Sequence, residues 1–331
     1  MTNKPKPVVD GIKVDHVIDG PPYHSMWDNA LPPVLEIDSG ETVLFRCIEA
    51  TGGQYSENST AEDVRHIDLS RLHTITGPVF VRGATPADTL RVDILGIEPA
   101  KWGWTSVEPN FGILADRFGA EYALRIWHVD VQGIARFRPD VGVPIEPFCG
   151  IMGVAPREPG AIITIPPRAI GGNMDSKHLR AGATAYFPIQ VPGALFSLGD
   201  GHLAQGDGEV CGTAIEASMA VTVRISIVKN RTIPAVRYET PAGVSPIDSA
   251  GHFVTTAAGL DLHRLARDAV NGMVDLLTAE FDLSPMDAYV LCSVAGNLKI
   301  AVPVLGARHA GFVTFHMPRS IFAQTLRRRP S

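Results

Sequence analysis

Residues 89–97 read TLRVDILGI and residues 220–228 read AVTVRISIV. In the first, Leu90, Val92 and Ile94 alternate with Arg91 and Asp93. In the second, Val221, Val223, Ile225 and Ile227 alternate with Thr222, Arg224 and Ser226. A period of two is the mark of a strand with one face buried and one solvated. Residues 43–48, 78–81, 161–165 and 194–198 give further short apolar runs. The 32 glycines and 26 prolines punctuate them as turns do in β-rich chains. Helical spacing is convincing only late. From Asp261, Leu262, Leu265, Ala266, Ala269, Val270, Met273, Leu276 and Leu277 form a stripe of period 3.6. Ser284, Pro285 and Asp287 then spell a helix start, predicting a second helix to about Val294. Leu298–Leu305 returns to strand. No sustained strand–helix alternation is present, which disfavours a doubly wound parallel sheet. The expected fold is mainly β, a β-sandwich or distorted barrel with a late α-helical pair. With 331 residues the chain exceeds the roughly 250–300 at which one core stops growing. The expected division is a β-rich core over 1–260, in two packed subdomains meeting near 130–160. Residues 261–331 follow as a helical pair plus a terminal strand.

Composition narrows the function classes. Hydrophobic residues make up 45% and charged residues 19%, a globular balance. The formal net charge of -6 argues against a nucleic-acid partner. Arg327, Arg328 and Arg329 are expected to be a solvated tail. The opening MTNKPKPVVDGIKV has no secretory h-region, and no apolar run approaches 18 residues, so a cytoplasmic protein without a membrane span is expected. Cys47, Cys149, Cys211 and Cys292 form no CxxC and are expected to be reduced, buried thiols.

The polar residues with chemical potential gather in 165–216. GGNMD (171–175) and GDGHLAQGDGE (199–209) hold carboxylates and an imidazole apart with glycines. Asp200 and His202 are expected to come off the end of the 194–198 strand, where sites usually lie. Carboxylate oxygens and imidazole nitrogen suit a divalent metal such as Zn²⁺, and the acidic oxygens suit Ca²⁺ as well. Asp175 and His73, in RLHTITGP (71–78), complete the candidate ligand set. Glu209 is the candidate proton carrier. The plainer alternatives are a turn role for Asp207, an ordinary buried histidine at 73, and a solvent-facing or ion-pairing Glu216. Cys211 reads as a buried small residue.

Six stretches carry a resemblance: GPVFVRGATPADTLRV (77–92), FGILADRF (111–118), GIMGVAP (150–156), PPRAIGGNMDSKHL (166–179), VPGALFSLGDGHLAQGDGEVCGTAIE (191–216) and AYVLCSVAGNLKI (288–300). Together they resemble the acetamidase/formamidase family over most of the chain. The resemblance implies a β-sandwich-like, metal-dependent amidohydrolase that converts short aliphatic amides to carboxylate and ammonia. It further implies a cytosolic homodimer or larger homo-oligomer, for which the helix pair 261–294 offers a surface. By position it marks Asp175, Asp200, His202, Glu209, His73 and Asp116. Glu49 stands where an aspartate is expected, and ENSTAEDVRHIDL (57–69) is idiosyncratic; both belong to a region that shapes the pocket. The mechanism this suggests places the amide over Gly171, Gly172 and Asn173, with glycine N–H groups facing the oxyanion. Metal sits on His73, Asp175, Asp200 and His202, and Glu209 shuttles the proton. Two alternatives remain beside it. One is a thiol amidase using Cys211 and Lys177. The other is a small-molecule-binding β-sandwich with a structural divalent metal and no catalysis.

Overall fold

The computed structural model of the chain describes residues 8–9, 11–243, 245–303 and 311–322. The two alternating stretches become neighbours. Thr89–Pro99 and Met219–Val228 pair antiparallel at the centre of a six-stranded sheet, with a register shift between Thr222 and Val223. Outward on one side lie Thr184–Pro188 and Arg237–Glu239; on the other lie Thr42–Cys47 and His16–Ile18, the last pair parallel. A second six-stranded sheet runs in the order Gly171–Asn173, Phe148–Gly153, Phe196–His202, Ile75–Val81, Tyr23–His24, with Leu35–Ile37 also on Ile75–Val81. The faces that alternate in sequence meet in space. Val92, Ile94, Val221, Val223 and Ile225 pack against Val79, Val81, Met152, Phe196 and Leu198 in one apolar core. This is the expected sandwich, closed because the facing apolar sides of the two sheets bury each other.

Asp88 pins the end of the central pair. Its buried carboxylate accepts from the Thr85 N–H (3.1 Å) and hydroxyl (2.8 Å) and the Asn230 N–H (3.0 Å), and pairs with Lys229 Nζ (3.0 Å). Burial pushes the carboxyl pKa up, but these donors outweigh it and hold it at about 2. A depressed carboxyl contributes stability that is present above its unfolded value of about 3.9 and fades as pH falls through 2. Asp88→Ala is expected to lower unfolding free energy by about 3 kcal/mol at pH 7. The gap should narrow between about pH 4 and pH 2. Urea titrations of both proteins across that range check it.

A second core lies at the C-terminal side. His252–Gly259, Gly311–Pro318 and Asn297–Val302 form a three-stranded antiparallel sheet. The helix Leu262–Phe281 lays Leu265, Ala269, Val270, Met273 and Leu277 into this core. Asp261 caps it by accepting from the N–H groups of His263 and Arg264. The second helix spans Pro285–Ala295, with Ser284 accepting from the Asp287 N–H, as its sequence predicts. Every residue from Ala288 to Ala295 is buried within the chain. This half of the helix pair therefore offers no outer surface to a second subunit.

Several expectations shift. The strand expected over 194–198 begins at Phe196 and runs to His202, because Ala194 and Leu195 take left-handed φ values of 62° and 53°. Asp200 and His202 thus lie within the strand. The 161–165 run shortens to Ile162–Ile163. Val304 and Leu305, from the expected final strand, and Arg327–Arg329 lie outside the described residues. The strands His252–Gly259 and Gly311–Pro318 escaped the sequence reading. HFVTTAAG carries its inward face on Phe253, Thr255 and Ala257, too small and polar to show an alternation. No helix among the described residues is long and apolar enough to cross a membrane. All four cysteines are buried and unpaired.

Candidate active site

Three strands build the floor of the site. Phe148–Gly153 lies between Gly171–Asn173 and Phe196–His202. Asp200 falls between the pairs Cys149↔Gly201 and Ile151↔Gly199, opposite Gly150. The Gly150 carbonyl accepts from the N–H groups of Met174 (3.0 Å) and Asp175 (3.3 Å), which brings the Asp175 carboxylate to the same point. One ligand atom from each of Asp175, Asp200 and His202 lies within 4.8 Å of the others, and the same holds for His202, Glu209 and Glu216. Asp200, His202 and Glu216 are 2%, 1% and 3% exposed.

The imidazole of His202 is fixed on all sides. Its Nδ1 is 2.8 Å from Gln205 Oε1, while Gln205 Nε2 donates to the Asp175 carbonyl at 2.7 Å. That second bond fixes the amide orientation, so Nδ1 carries the proton that Oε1 accepts. Phe148 meets the ring edge-on, centroids 5.0 Å apart. The Nε2 atom then points at Glu216 Oε2 (3.1 Å) and Asp200 Oδ2 (3.5 Å). Two carboxylates facing one ring nitrogen demand positive charge between them, supplied by a proton or by a metal ion.

The titration pattern has the same origin. Burial, then the Asp200 charge, lifts Asp175 to about 7. Burial also acts on Asp200, but His202 overrides it and holds this carboxyl at about 2. Burial and Asp175 push Glu209 well up, and burial raises Glu216. Burial disfavours the imidazolium of His202, yet Glu216 and Asp200 raise its pKa well above 6.5.

Backbone strain singles out the same positions. Among the described residues, nine non-glycines have positive φ, and four of them are His73 (53°), Asp175 (44°), Asp200 (56°) and Glu209 (41°). Such conformations cost on the order of 1–3 kcal/mol each and persist where surrounding structure holds a functional group in place. At Glu209 that structure is the buried helix Pro285–Ala295. Ser293 accepts from the Gly206 N–H at its carbonyl and from the Cys211 N–H at its hydroxyl, while the Tyr289 hydroxyl donates to the Val210 carbonyl at 2.5 Å.

These groups open onto a cavity of about 320 Å³. His73, Asn173, Asp175, Asp200, His202 and Glu209 all line it, joined by Glu216. His73 contributes a buried, unpartnered Nδ1 but stands apart from both tight clusters. Gly171 and Gly172 do not line the cavity. They have φ of 100° and 103° and pair with Gly153 and Met152, and a Cβ on Gly171 would collide with the Met152 carbonyl. Their glycines answer to strand packing rather than to substrate. Asp116 is also elsewhere, exposed on the short helix Ala115–Phe118 and paired with Arg267. Cys211 is buried outside the cavity lining with its pKa pushed up to about 11, and Lys177 donates to Asn297, so neither serves a thiol mechanism.

The structure adds Gly150, which the sequence did not single out, and settles where Glu216 and Glu49 lie. Glu216 is buried because its backbone bridges Trp104 on one side and His202 on the other. Gly150 keeps the centre clear: a Cβ there would sit 2.5 Å from Asp200 Oδ2, 2.6 Å from Asp175 Oδ1 and 2.8 Å from His202 Cε1. Glu49 is buried and accepts from Thr51, Gly53 and the Trp104 indole N–H. It shapes the wall rather than joining the cluster.

The residues fit a divalent metal. Asp175 Oδ1 is buried without a hydrogen-bond partner beside the space that Gly150 leaves, and Glu216 Oε2 is buried against His202 Nε2 at 3.1 Å. Orphaned buried carboxylate oxygens are costly unless a cation completes them. The second bond of His202, through Gln205 to Asp175, is the arrangement that orients metal-binding imidazoles.

The profile of the Acetamidase/Formamidase family matches residues 13–160 and 158–324. The chain is 30% identical over 265 residues to a formamidase of Methylophilus methylotrophus, covering 62% of this chain and 64% of that protein. It is 30% identical over 271 residues to an acetamidase of Mycolicibacterium smegmatis, covering 63% and 66%. The chain thus spans slightly under two thirds of the length of these curated relatives. Among solved structures, a gamma lactamase from Delftia acidovorans superposes with a TM-score of 0.83 at 25% identity, over 91% of this chain and 89% of that one. With the family profile covering nearly the whole described chain, this protein belongs to the acetamidase/formamidase family.

Proposed function

We propose that the chain hydrolyses the C–N bond of short aliphatic amides to a carboxylate and ammonia, with a divalent metal held by Asp175, Asp200 and His202 and flanked by Glu216. The observation that carries this reading is the convergence of buried carboxylates on His202: Glu216 Oε2 and Asp200 Oδ2 face its Nε2, while Asp175 Oδ1 and Asp200 Oδ2 border the space that Gly150 leaves. Its relatives' names include linear-amide and lactam hydrolases, and the amide C–N bond is what those substrates share. The mixed nitrogen and oxygen donors favour Zn²⁺ over Ca²⁺, which takes six to eight oxygens. A bound divalent ion supplies Lewis-acid charge that lowers the pKa of water and offsets charge developing on oxygen.

The chain's own residues do the rest. Gln205 holds the His202 ring with Nε2 turned inward. Asn173 lines the cavity, where its side-chain amide can present an N–H to the substrate carbonyl oxygen. Glu209 takes the proton of the attacking water and delivers it to the departing nitrogen, so that ammonia leaves as the C–N bond breaks.

Ammonia release from formamide, acetamide and γ-butyrolactam, with metal analysis, tests the reading. Activity should vanish on exhaustive chelation and return with Zn²⁺. Activity undiminished by chelation would remove the metal role, and silence toward all amides with metal bound would favour a binding protein.

A further inference from the structure

The cavity is larger than its smallest candidate substrates need. Acetamide has four heavy atoms and displaces about three waters, or about 90 Å³ at about 30 Å³ each. The cavity holds about 320 Å³.

The surplus space is apolar. The buried cluster around His202 forms the floor, while Ile67, Leu72, Trp104, Phe111 and Ile165 line the rest. Phe111 and Ile165 are 53% and 46% exposed, which sets this apolar wall on the solvent side of the floor. Isolated exposed apolar residues need no explanation, but several converging on one cavity mark a ligand surface. The wall is also preformed. The Trp104 indole N–H donates to Glu49 Oε2 at 2.9 Å, and Tyr55 meets its ring edge-on at 4.8 Å. Val64, from the 57–69 segment, packs into the same cluster as Trp104 and Tyr55, with Ile67 against it. A wall held this way costs little ordering when a ligand docks.

Charge excludes one class of acyl group. Among the described residues no lysine or arginine lines the cavity, and Glu108 adds an acid outside the candidate metal cluster. A substrate bearing a distal carboxylate would meet no cation and a further carboxyl.

We infer that the preferred substrate is an uncharged amide with an extended apolar acyl group, seated against Ile67, Leu72, Trp104, Phe111 and Ile165. This rests on the amide-hydrolase reading above. Formamide and acetamide then occupy only the floor of the site. Each additional buried methylene is worth about a fourfold gain in kcat/KM. Hexanamide, four methylenes longer than acetamide, is therefore expected to exceed it by roughly 250-fold.

The test is ammonia release by the metal-loaded protein from acetamide, hexanamide and succinamate. The expected order is hexanamide far above acetamide, with succinamate below hexanamide by a similar margin. Ile165→Ser, at an exposed position that leaves the core untouched, should lower the hexanamide-to-acetamide ratio about tenfold. A ratio at or below one, a succinamate rate matching hexanamide, or an Ile165→Ser ratio equal to wild type overturns the inference. Silence toward all three amides overturns the hydrolase reading instead, and this inference with it. Calorimetry on the Glu209→Gln protein reads the preference without turnover, and equal affinity for hexanamide and acetamide there also overturns it.

Discussion

Glu209→Gln is expected to lower kcat for amide hydrolysis by about 10²–10⁴-fold while the protein keeps its metal. Glutamine preserves the shape of the side chain and its bonds through the backbone but cannot accept and return a proton. The loop that carries Glu209 is held independently of its carboxylate, by Ser293 and Tyr289 of the buried helix and by the Gly212 N–H on the Glu209 carbonyl (2.7 Å). The substitution should therefore leave the fold and the cavity in place. KM should change little, since the loss falls on the transition state. Glu209 also lies within reach of His202 and Glu216, so metal content decides between two roles. A variant that retains one metal per chain and loses turnover confirms the proton carrier. One that loses metal makes Glu209 a ligand, and one that retains full turnover removes it from the chemistry.

Gly150→Ala is expected to abolish metal binding and reduce kcat/KM by at least a thousandfold, with a modest change in stability. A single methyl group would enter the space between Asp175 Oδ1 and Asp200 Oδ2, closer to both than any non-bonded carbon sits. Gly150 is not among the residues with positive φ, so alanine meets no backbone strain there. Overpacking typically costs about 1–3 kcal/mol, small enough for the sandwich to survive. The penalty falls on the ligands, which must swing apart. Metal analysis and a thermal melt on the same sample separate the outcomes. A folded Gly150→Ala protein that still holds metal and turns over amides would show that the ion does not lie between these carboxylates.

Much of the candidate site is legible in the sequence because its residues are clustered there. Asp200, His202 and Glu209 lie in a single glycine-spaced run, and Asp175 follows GGN. Short polar residues among glycines stand out against alternating strands. Glu216 does not stand out, because it heads an alternating strand and looks like a solvent-facing residue. Only its pairing with Trp104 and His202 buries it. Gly150 lies in an apolar run with nothing to mark it, and its role is to leave room for atoms 25 and 50 residues away. The glycines at 171 and 172 mislead in the opposite sense. They suggest a ligand cradle, whereas their φ values and pairing serve the sheet. Asp116 shows that a matched motif position can end on the surface, paired with Arg267.

The sequence by itself determined the period-two faces of the central strands, the capped start of the second long helix, and Asp175, Asp200, His202 and Glu209 as candidate site residues. These are local properties, written in neighbours a few positions apart. The tertiary structure decided which of those residues converge, that Pro285–Ala295 is buried as the clamp on the Glu209 loop, and that the cavity has an apolar wall. Each of these depends on strands paired across gaps of more than 50 residues, as Phe148↔His202 and Trp104↔Glu216 are. Pairing energy along a strand is nearly uniform, so register is set by the closing of the whole sandwich rather than by any one segment.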